Sequence, residues 1–333
     1  MSKPIAVVFC PGRGAYGREE LSFIARHHRP GPIADALAEA DAARPEDLTI
    51  TRLDSADQFR PGVHLQGVNA AELIYFSTLF HLDQLREHYD IVAVAGNSMG
   101  WYTSLAASGA LDAQRGWRLI RSMAELQLEI DGGQVLTTCV DESWQPDLSA
   151  RQELEAALVT TNAKGADHFV AHSIYLGGHR VIGGTDRGIT ALLEELSKRK
   201  IGDREFPFQL AGNGPFHTAL CQDTAKAAQD RLASLQLDQP RVHLIDGLGN
   251  AHTPWSADPS GLLEYTTTRQ VLEPFDFTAS VRTALREFNP DVLLCVGPGQ
   301  SLRAPVGHVV LSEQYRGIKT REALFESGLV RTD

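Results

Sequence analysis

The residues best suited to chemistry form a G-x-S-x-G pattern at Gly96-Asn97-Ser98-Met99-Gly100. A short apolar run precedes Ser98, and a helix-compatible segment at 101–108 follows it. In such a strand–turn–helix, the serine occupies a strained turn, and the flanking glycines relieve crowding with neighbouring backbone. The helix would bring its N-terminal amides and its positive dipole end close to the serine oxygen. The motif therefore predicts that Ser98 is a nucleophile.

A serine hydroxyl is a weak nucleophile until a nearby base accepts its proton. Among the twelve histidines of the chain, His217 stands in the turn-forming segment 213–219, which would leave it at the start of a helix. His252 and His308 are alternative bases on sequence grounds alone. The sequence favours His217 as the partner of Ser98 and leaves these two alternatives open.

Two patterns of elements would position these residues. Short apolar runs that end near glycine or aspartate predict buried parallel strands, because strands covered by helices on both faces have no polar side. These runs lie at 5–10, 48–53, 91–95, 243–245 and 292–296. The middle of the chain instead has strand candidates rich in Val, Thr and Ile at 134–140, 168–175 and 180–182, and helical periodicity at 152–158 and 187–199.

The middle pattern of strand, helix, two strands and helix predicts a small α+β unit inserted into a larger α/β domain. We expect the large domain to comprise residues 1–131 and 206–333, and the small one to comprise residues 132–205.

The composition of the 333-residue chain, with 43% hydrophobic and 22% charged residues, is that of a globular protein. No apolar run approaches the ~20 residues of a membrane helix, and the first residues lack the apolar stretch of a secretion signal. We therefore expect a soluble cytoplasmic protein that does not bind membranes. A net charge of −11 without a basic stripe argues against nucleic-acid binding. The scattered cysteines, with no C-x-x-C pair, predict reduced thiols and no zinc site. They are Cys10, Cys139, Cys221 and Cys295.

Five sets of residues, in order along nearly the whole chain, resemble the landmarks of malonyl-CoA:acyl carrier protein transacylases and of the related acyltransferase domains of polyketide synthases. They are 9–14 (similar to F-P-G-Q-G), 96–102 (similar to G-H-S-L-G-E-Y), 108–111 (similar to A-G-A-L), 214–217 (similar to G-A-F-H), and the C-terminal landmarks Arg269-Gln270 with Pro274 and 296–299. The resemblance implies a hydrolase-like α/β fold, with a mostly parallel sheet flanked by helices and an inserted ferredoxin-like α+β subdomain.

The resemblance also implies catalytic roles. Ser98 would attack an acyl thioester while His217 acts as general base. The main-chain carbonyl of Gln270 would orient the histidine, and the main-chain N–H groups of Met99 and Arg13 would bind the oxyanion. Acyl-CoA would be the donor, and the phosphopantetheine thiol of an acyl carrier protein the acceptor. No metal or redox cofactor is implied.

Met123, Phe216, Asn97 and Arg13 are expected to contact the substrate. Malonyl-specific members bind the free carboxylate with an arginine twenty-five residues after the serine, and Met123 occupies that position. A methionine offers an apolar wall, against which a buried carboxylate would be costly. Arg121 lies about 200° around the helix and should point elsewhere. An uncharged acyl group is therefore favoured over malonyl.

Three further differences from the family concern Asn97, Arg13 and the segment 173–177. Asn97 replaces a histidine, Arg13 replaces a glutamine, and Ser173-Ile174-Tyr175-Leu176-Gly177 replaces an N-x-N-x-P segment. Arg13 adds a cation near the thioester, so an acidic acyl group bound by Arg13 stays open.

Three other functions remain as alternatives. An acyl-thioester hydrolase would use the same residues but let water resolve the acyl-enzyme. A nicotinamide-dependent oxidoreductase would use Gly12-Arg13-Gly14-Ala15-Tyr16-Gly17 as a G-x-G-x-x-G motif, although Asp54 lies too far along the chain for its acidic residue. A non-catalytic relative would only bind carrier proteins.

Overall fold

The computed structural model describes residues 2–127 and 130–332 of the chain. The strands are β1 (Ile5–Cys10), β2 (Asp90–Gly96), β3 (Gly133–Thr138), β4 (Val170–Leu176), β5 (His179–Gly184), β6 (Arg199–Ile201), β7 (Arg204–Phe206), β8 (Phe208–Gln209), β9 (His243–Ile245), β10 (Ala251–His252), β11 (Phe275–Asp276), β12 (Val292–Cys295) and β13 (Val330–Arg331).

Helices and short turns connect the strands. The α-helices are α1 (Phe23–His27), α2 (Pro32–Ala42), α3 (Ile50–Asp54), α4 (Pro61–His64), α5 (Gly67–Leu85), α6 (Gly100–Ala107), α7 (Ala113–Leu126), α8 (Leu148–Asn162), α9 (Asp186–Glu195), α10 (Gln222–Leu232), α11 (Pro259–Thr267), α12 (Arg269–Leu272), α13 (Phe277–Phe288), α14 (Arg303–Ser312) and α15 (Arg321–Ser327). Short 3-10 turns occur at Arg18–Glu20, Glu46–Leu48, Ala166–His168, Ala219–Cys221 and Tyr315–Gly317.

A six-stranded sheet in the order β10-β9-β2-β1-β12-β13 forms the centre of the molecule. All neighbouring strands in it are parallel except β9 and β10. Residues 6–10 of β1 and all of β12 are buried, as expected for strands covered on both faces. The predicted α/β class is confirmed. Because Cys10 pairs with Gly96, the segments that follow β1 and β2 emerge side by side.

A second sheet has the order β11-β4-β5-β3-β8. The order of elements β3, α8, β4, β5, α9 and β8, with β8-β3-β5-β4 adjacent in the sheet, is the ferredoxin-like arrangement that the resemblance implied. Some of its apolar side chains, together with residues of α8 and α9, form a cluster separate from the main core. This separate cluster includes Leu154, Ile182 and Leu192. The strands β8 and β11 lie outside residues 132–205, and the domain boundaries themselves stay a prediction.

One strand prediction is wrong. Residues 48–53 form the end of a 3-10 turn and most of α3 rather than a strand. Thr49 caps the helix by accepting a hydrogen bond from the N–H of Arg52, and Ile50 and Leu53 are both buried. Two apolar residues three positions apart fit one face of a helix, and so short a run does not distinguish helix from strand.

The described part of the chain contains no helix that is both long and apolar enough to cross a membrane. All four cysteines are buried with free thiols.

Candidate active site

Ser98 lies in a sharp turn between β2 and α6. Its φ of 56° is in the left-handed region, which is uncommon for residues other than glycine. A Cβ on Gly96 would overlap the main chain of Gly100, and one on Gly100 would overlap the carbonyl of Cys10. The Asn97 N–H donates a hydrogen bond of 3.0 Å to that same carbonyl. Gly96 is therefore required because the turn folds closely on itself, and Gly100 because the turn packs directly on the end of β1.

The side chains of Ser98 and His217 are in hydrogen-bond contact, with 2.7 Å between Oγ and Nε2. On the other side of the ring, Nδ1 lies 2.6 Å from the main-chain oxygen of Gln270. A carbonyl oxygen only accepts, so Nδ1 carries the proton and Nε2 is left to accept from the serine hydroxyl. The ring is thus held in the tautomer that a general base requires.

Burial sets the protonation state of His217. Only 4% of the residue is exposed, and this desolvation lowers the pKa of His217 from 6.5 to about 4, with the hydrogen bond to the Gln270 carbonyl acting in the opposite direction. No carboxylate takes the place of that carbonyl. The imidazole is therefore neutral at physiological pH.

The side chain of Gln270 connects both halves of the pair. Its Oε1 accepts a hydrogen bond of 2.6 Å from the Tyr102 hydroxyl, and its Nε2 donates one of 3.2 Å to the main-chain oxygen of Ser98. Tyr102 lies one turn beyond Ser98 on α6 and is buried. Sequence reasoning found the carbonyl of Gln270 but missed this contact. The only signal for it was the tyrosine at the end of the motif 96–102.

Met99 and Arg13 follow the ends of β2 and β1, which are adjacent strands. Within residues 2–127 and 130–332, neither main-chain N–H donates a hydrogen bond. Unused donors of this kind, after the ends of two adjacent strands, are suited to an oxyanion hole. This role stays a prediction.

The guanidinium group of Arg13 packs over the ring of Phe216, 5.0 Å from its centroid, and donates a hydrogen bond of 2.9 Å to Gln127. Burial lowers the pKa of Arg13 to about 10, with the Tyr102 hydroxyl raising it in part, so the group remains charged at neutral pH. No carboxylate among the described residues pairs with it. The structure thus places a cation against the residue that precedes His217.

Met123 and Asn97 are both buried. Met123 lies on α7 within the main apolar core and is 1% exposed. Arg121 on the same helix bonds Glu125 and lies 3.9 Å from Glu72. The Asn97 side-chain oxygen has no hydrogen-bond partner in the described part of the chain. The roles of Met123 and Asn97 in substrate binding stay predictions.

The alternative bases lie elsewhere. His252 bonds Asp246 at 3.0 Å, and His308 accepts a hydrogen bond of 3.1 Å from the Gly178 N–H. Neither contacts Ser98.

The structure does not favour the alternative of a dinucleotide-binding oxidoreductase. After Gly17 the chain forms a 3-10 turn and the five-residue α1, rather than the long helix whose N-terminus would bind a pyrophosphate. For metals, the described residues include no group of three or more His, Cys, Asp or Glu side chains arranged to hold an ion.

Comparison with known proteins supports the same family. No protein-family model matches the chain. The malonyl CoA-acyl carrier protein transacylase of Bacillus subtilis is 24% identical over 219 residues, which cover 65% of this chain and 63% of that protein. Among solved structures, an acyl-carrier-protein S-malonyltransferase from Burkholderia pseudomallei matches with a TM-score of 0.73 and 22% identity, covering 92% of this chain and 93% of the other.

A malonyl-transacylase in complex with a type II polyketide synthase acyl-carrier protein matches with a TM-score of 0.70 and 20% identity, covering 92% and 93% of the two chains. The predicted resemblance is confirmed: the chain has the fold of malonyl-CoA:acyl carrier protein transacylases and is similar to them in sequence.

Proposed function

We propose that this protein is a serine-dependent acyltransferase that moves an acyl group from acyl-CoA to the phosphopantetheine thiol of an acyl carrier protein. The observation that carries the proposal is the 2.7 Å contact between Ser98 Oγ and a neutral, oriented His217. Ser98 is partly exposed, whereas the residues on both sides of it are buried, so the turn leaves the nucleophile accessible from solvent.

In the first half-reaction, Ser98 Oγ attacks the thioester carbonyl and its proton passes to His217 Nε2. The N–H groups of Met99 and Arg13 stabilise the oxyanion, and losing one such donor costs about 3 kcal/mol in comparable enzymes. The intermediate collapses as the carbon–sulfur bond breaks. His217 returns its proton to the departing CoA thiolate, which leaves acyl-Ser98.

The second half-reaction reverses these steps with a new thiol. His217 accepts the proton of the phosphopantetheine thiol, and the thiolate attacks the acyl-Ser98 ester. When the ester bond breaks, Ser98 recovers the proton from His217. The carrier protein as partner is supported by the similar fold of the transacylase solved in complex with an acyl-carrier protein.

The acyl group is expected to be uncharged. The position of the malonyl-binding arginine is taken by Met123, which lies in an apolar core where a carboxylate would lose its hydration without an ionic partner. Arg13 is the one charged group that we expect near the acyl site, and it already bonds Gln127.

Intact-protein mass spectrometry after brief incubation with acetyl-, malonyl- and longer acyl-CoAs tests the proposal. We expect an adduct with an uncharged acyl-CoA that is absent in Ser98→Ala. Ser104→Ala is the matched control, because Ser104 lies on α6 and its hydroxyl donates a hydrogen bond to the Trp101 carbonyl of the same helix. Transfer of the acyl group from Ser98 to a holo acyl carrier protein, seen as a mass increase of the carrier protein, would show the second half-reaction.

The other outcomes separate the alternatives. An adduct with malonyl-CoA alone would refute the argument from Met123 but keep the mechanism. Release of CoA without any adduct would indicate a hydrolase. Neither adduct nor release with any donor would contradict the proposed enzyme and favour a non-catalytic binding protein.

A further inference from the structure

The loop that carries His217 sits directly on the second sheet. Gly183 of β5 lies beneath it, and a Cβ built on this glycine would lie 2.9 Å from Thr218 Cγ2 and 3.4 Å from the Phe216 carbonyl oxygen. The strands on either side of β5 are β3 and β4. The glycine therefore leaves a gap in the face of the sheet, and residues 215–218 fill it.

Polar side chains from both neighbouring strands border this gap. The Ser173 hydroxyl of β4 donates a hydrogen bond of 2.7 Å to the Phe216 carbonyl. The amide of Gln134 on β3 donates to Ser173 Oγ at 2.7 Å and, more weakly, to the same carbonyl at 3.4 Å. The Gln134 Oε1 in turn accepts a hydrogen bond of 3.0 Å from Asn213. The inserted sheet thus holds the loop that carries His217 (the histidine loop, residues 213–218) at two points, the Phe216 carbonyl and the Asn213 side chain.

These contacts are buried and specific. Ser173 is 0% exposed and Gln134 is 2% exposed, so each hydrogen bond is made away from water, where an unpaired polar group is costly. The pairing of β4 with β5 shifts register between His172 and Ile174, and such bulges redirect a side chain. Ser173 lies at this shift.

His217 needs support of this kind. Its φ of 58° is unfavourable for a residue with a side chain, and such a conformation persists only where the surroundings enforce it. The peptide between Phe216 and His217 determines where the imidazole points. Fixing the Phe216 carbonyl therefore fixes the approach of Nε2 to Ser98.

We propose that Ser173 and Gln134 are positioning residues, through which the inserted sheet sets the geometry of the base. This inference rests on the proposed function, since it assumes that His217 activates Ser98. It predicts that the reactivity of Ser98 depends on a hydroxyl that touches neither substrate nor nucleophile.

The test compares Ser173→Ala with the wild type in two assays. The first is the rate of Ser98 labelling by a fluorophosphonate probe, which needs neither acyl-CoA nor carrier protein. The second is the pre-steady-state rate of acylation over a series of acyl-CoA concentrations. We expect both rates to fall about tenfold in Ser173→Ala while the acyl-CoA concentration for half-maximal rate stays unchanged. Ser173→Thr, which keeps the hydroxyl, should recover most of the loss.

The matched control is Ser77→Ala. Ser77 is also 0% exposed, but its hydroxyl has no hydrogen-bond partner among the described residues, so its removal should leave both rates unchanged. Circular dichroism establishes that each variant is folded. If Ser173→Ala does not fold, Asn213→Ala, at a partly exposed position, should slow labelling about threefold through the loss of its bond to Gln134.

The outcomes distinguish the two proposals. A wild type that neither labels nor acylates would contradict the proposed function itself. A wild type that labels, with a folded Ser173→Ala that labels equally fast, would overturn only the positioning role. Equal slowing in Ser173→Ala and Ser77→Ala would also overturn it, because the effect would then follow from burial alone. With Asn213→Ala as the substitute, an unchanged labelling rate would overturn it too.

Discussion

Lowering the pH should stop acylation of Ser98 only at pH values well below the usual pKa of a histidine side chain. His217 acts as a base only when its ring is neutral, so the acylation rate follows the neutral fraction. Burial lowers the pKa of His217 from 6.5 to about 4. The difference between these values corresponds to about 3 kcal/mol in favour of the neutral ring.

The two pKa values predict very different rates at pH 5. With a pKa of about 4, about 90% of the rings are neutral at this pH, and the rate remains near its maximum. With an ordinary pKa of 6.5, only about 3% are neutral, so the rate would fall about 30-fold. Below pH 4 the rate should decrease about tenfold for each pH unit.

The assay is rapid-quench acylation with an acyl-CoA after a brief pH jump, at pH values from about 3 to 8. The jump is needed because stability also depends on pH. The buried His179 and His308, like His217, have pKa values lowered by burial. The unfolded chain then binds protons that the folded chain does not, so stability is lost as the pH falls from 6.5 towards 4. Fluorescence recorded during the jump shows whether the protein is still folded.

A midpoint near pH 6.5 in folded protein would refute the reasoning, because it would mean that His217 is hydrated or that another group is the base. His217→Gln serves as the control and should be slow at every pH, with no midpoint.

Three further predictions concern the turn at Ser98, the side chain of Gln270 and a buried ion pair of the core. Gly100→Ala should lower the free energy of unfolding by about 2 kcal/mol or more in urea titrations and abolish fluorophosphonate labelling, because the new methyl group overlaps the Cys10 carbonyl; labelling at the normal rate would contradict this. Gln270→Met keeps the carbonyl that orients the histidine but loses both side-chain hydrogen bonds, so labelling should slow about tenfold; an unchanged rate would show that the side chain is dispensable. Glu72→Gln leaves Arg44 buried without its counter-charge and should cost about 3 kcal/mol of stability in the same titrations, and a loss below about 1 kcal/mol would be inconsistent with a buried pair.

The fold class could be predicted because its signals are local. An apolar run such as Ile5–Cys10 has no polar face, which indicates a strand covered on both sides, and the structure confirms this strand at the centre of the sheet. The same rule failed at 48–53, where the run is too short to distinguish the two periods. In that case the cap at Thr49 and the packing of α3 decided the outcome.

The site could be predicted in part. The turn at Ser98 follows from glycines within two residues of it, so the sequence alone specified the position and the local shape of the nucleophile. The turn setting of His217 singled it out but left His252 and His308 open, and the family resemblance selected His217 and added the carbonyl of Gln270. The structure brings His217 to Ser98 and this carbonyl to His217. Their catalytic roles stay predictions.

Only the tertiary structure decided which groups surround this pair. Ser98 and His217 are 119 residues apart, and nothing in the spacing separates His217 from His252 or His308 as the partner. The contact of Ser173 with the histidine loop arises only when a sheet formed from a distant segment packs against that loop. The sequence by itself indicated the local turn, because the crowding that requires Gly96 comes from Gly100, only four residues away. Burial, and with it the low pKa of His217, depends on the assembly of both sheets, because desolvation is a property of everything that packs around the ring.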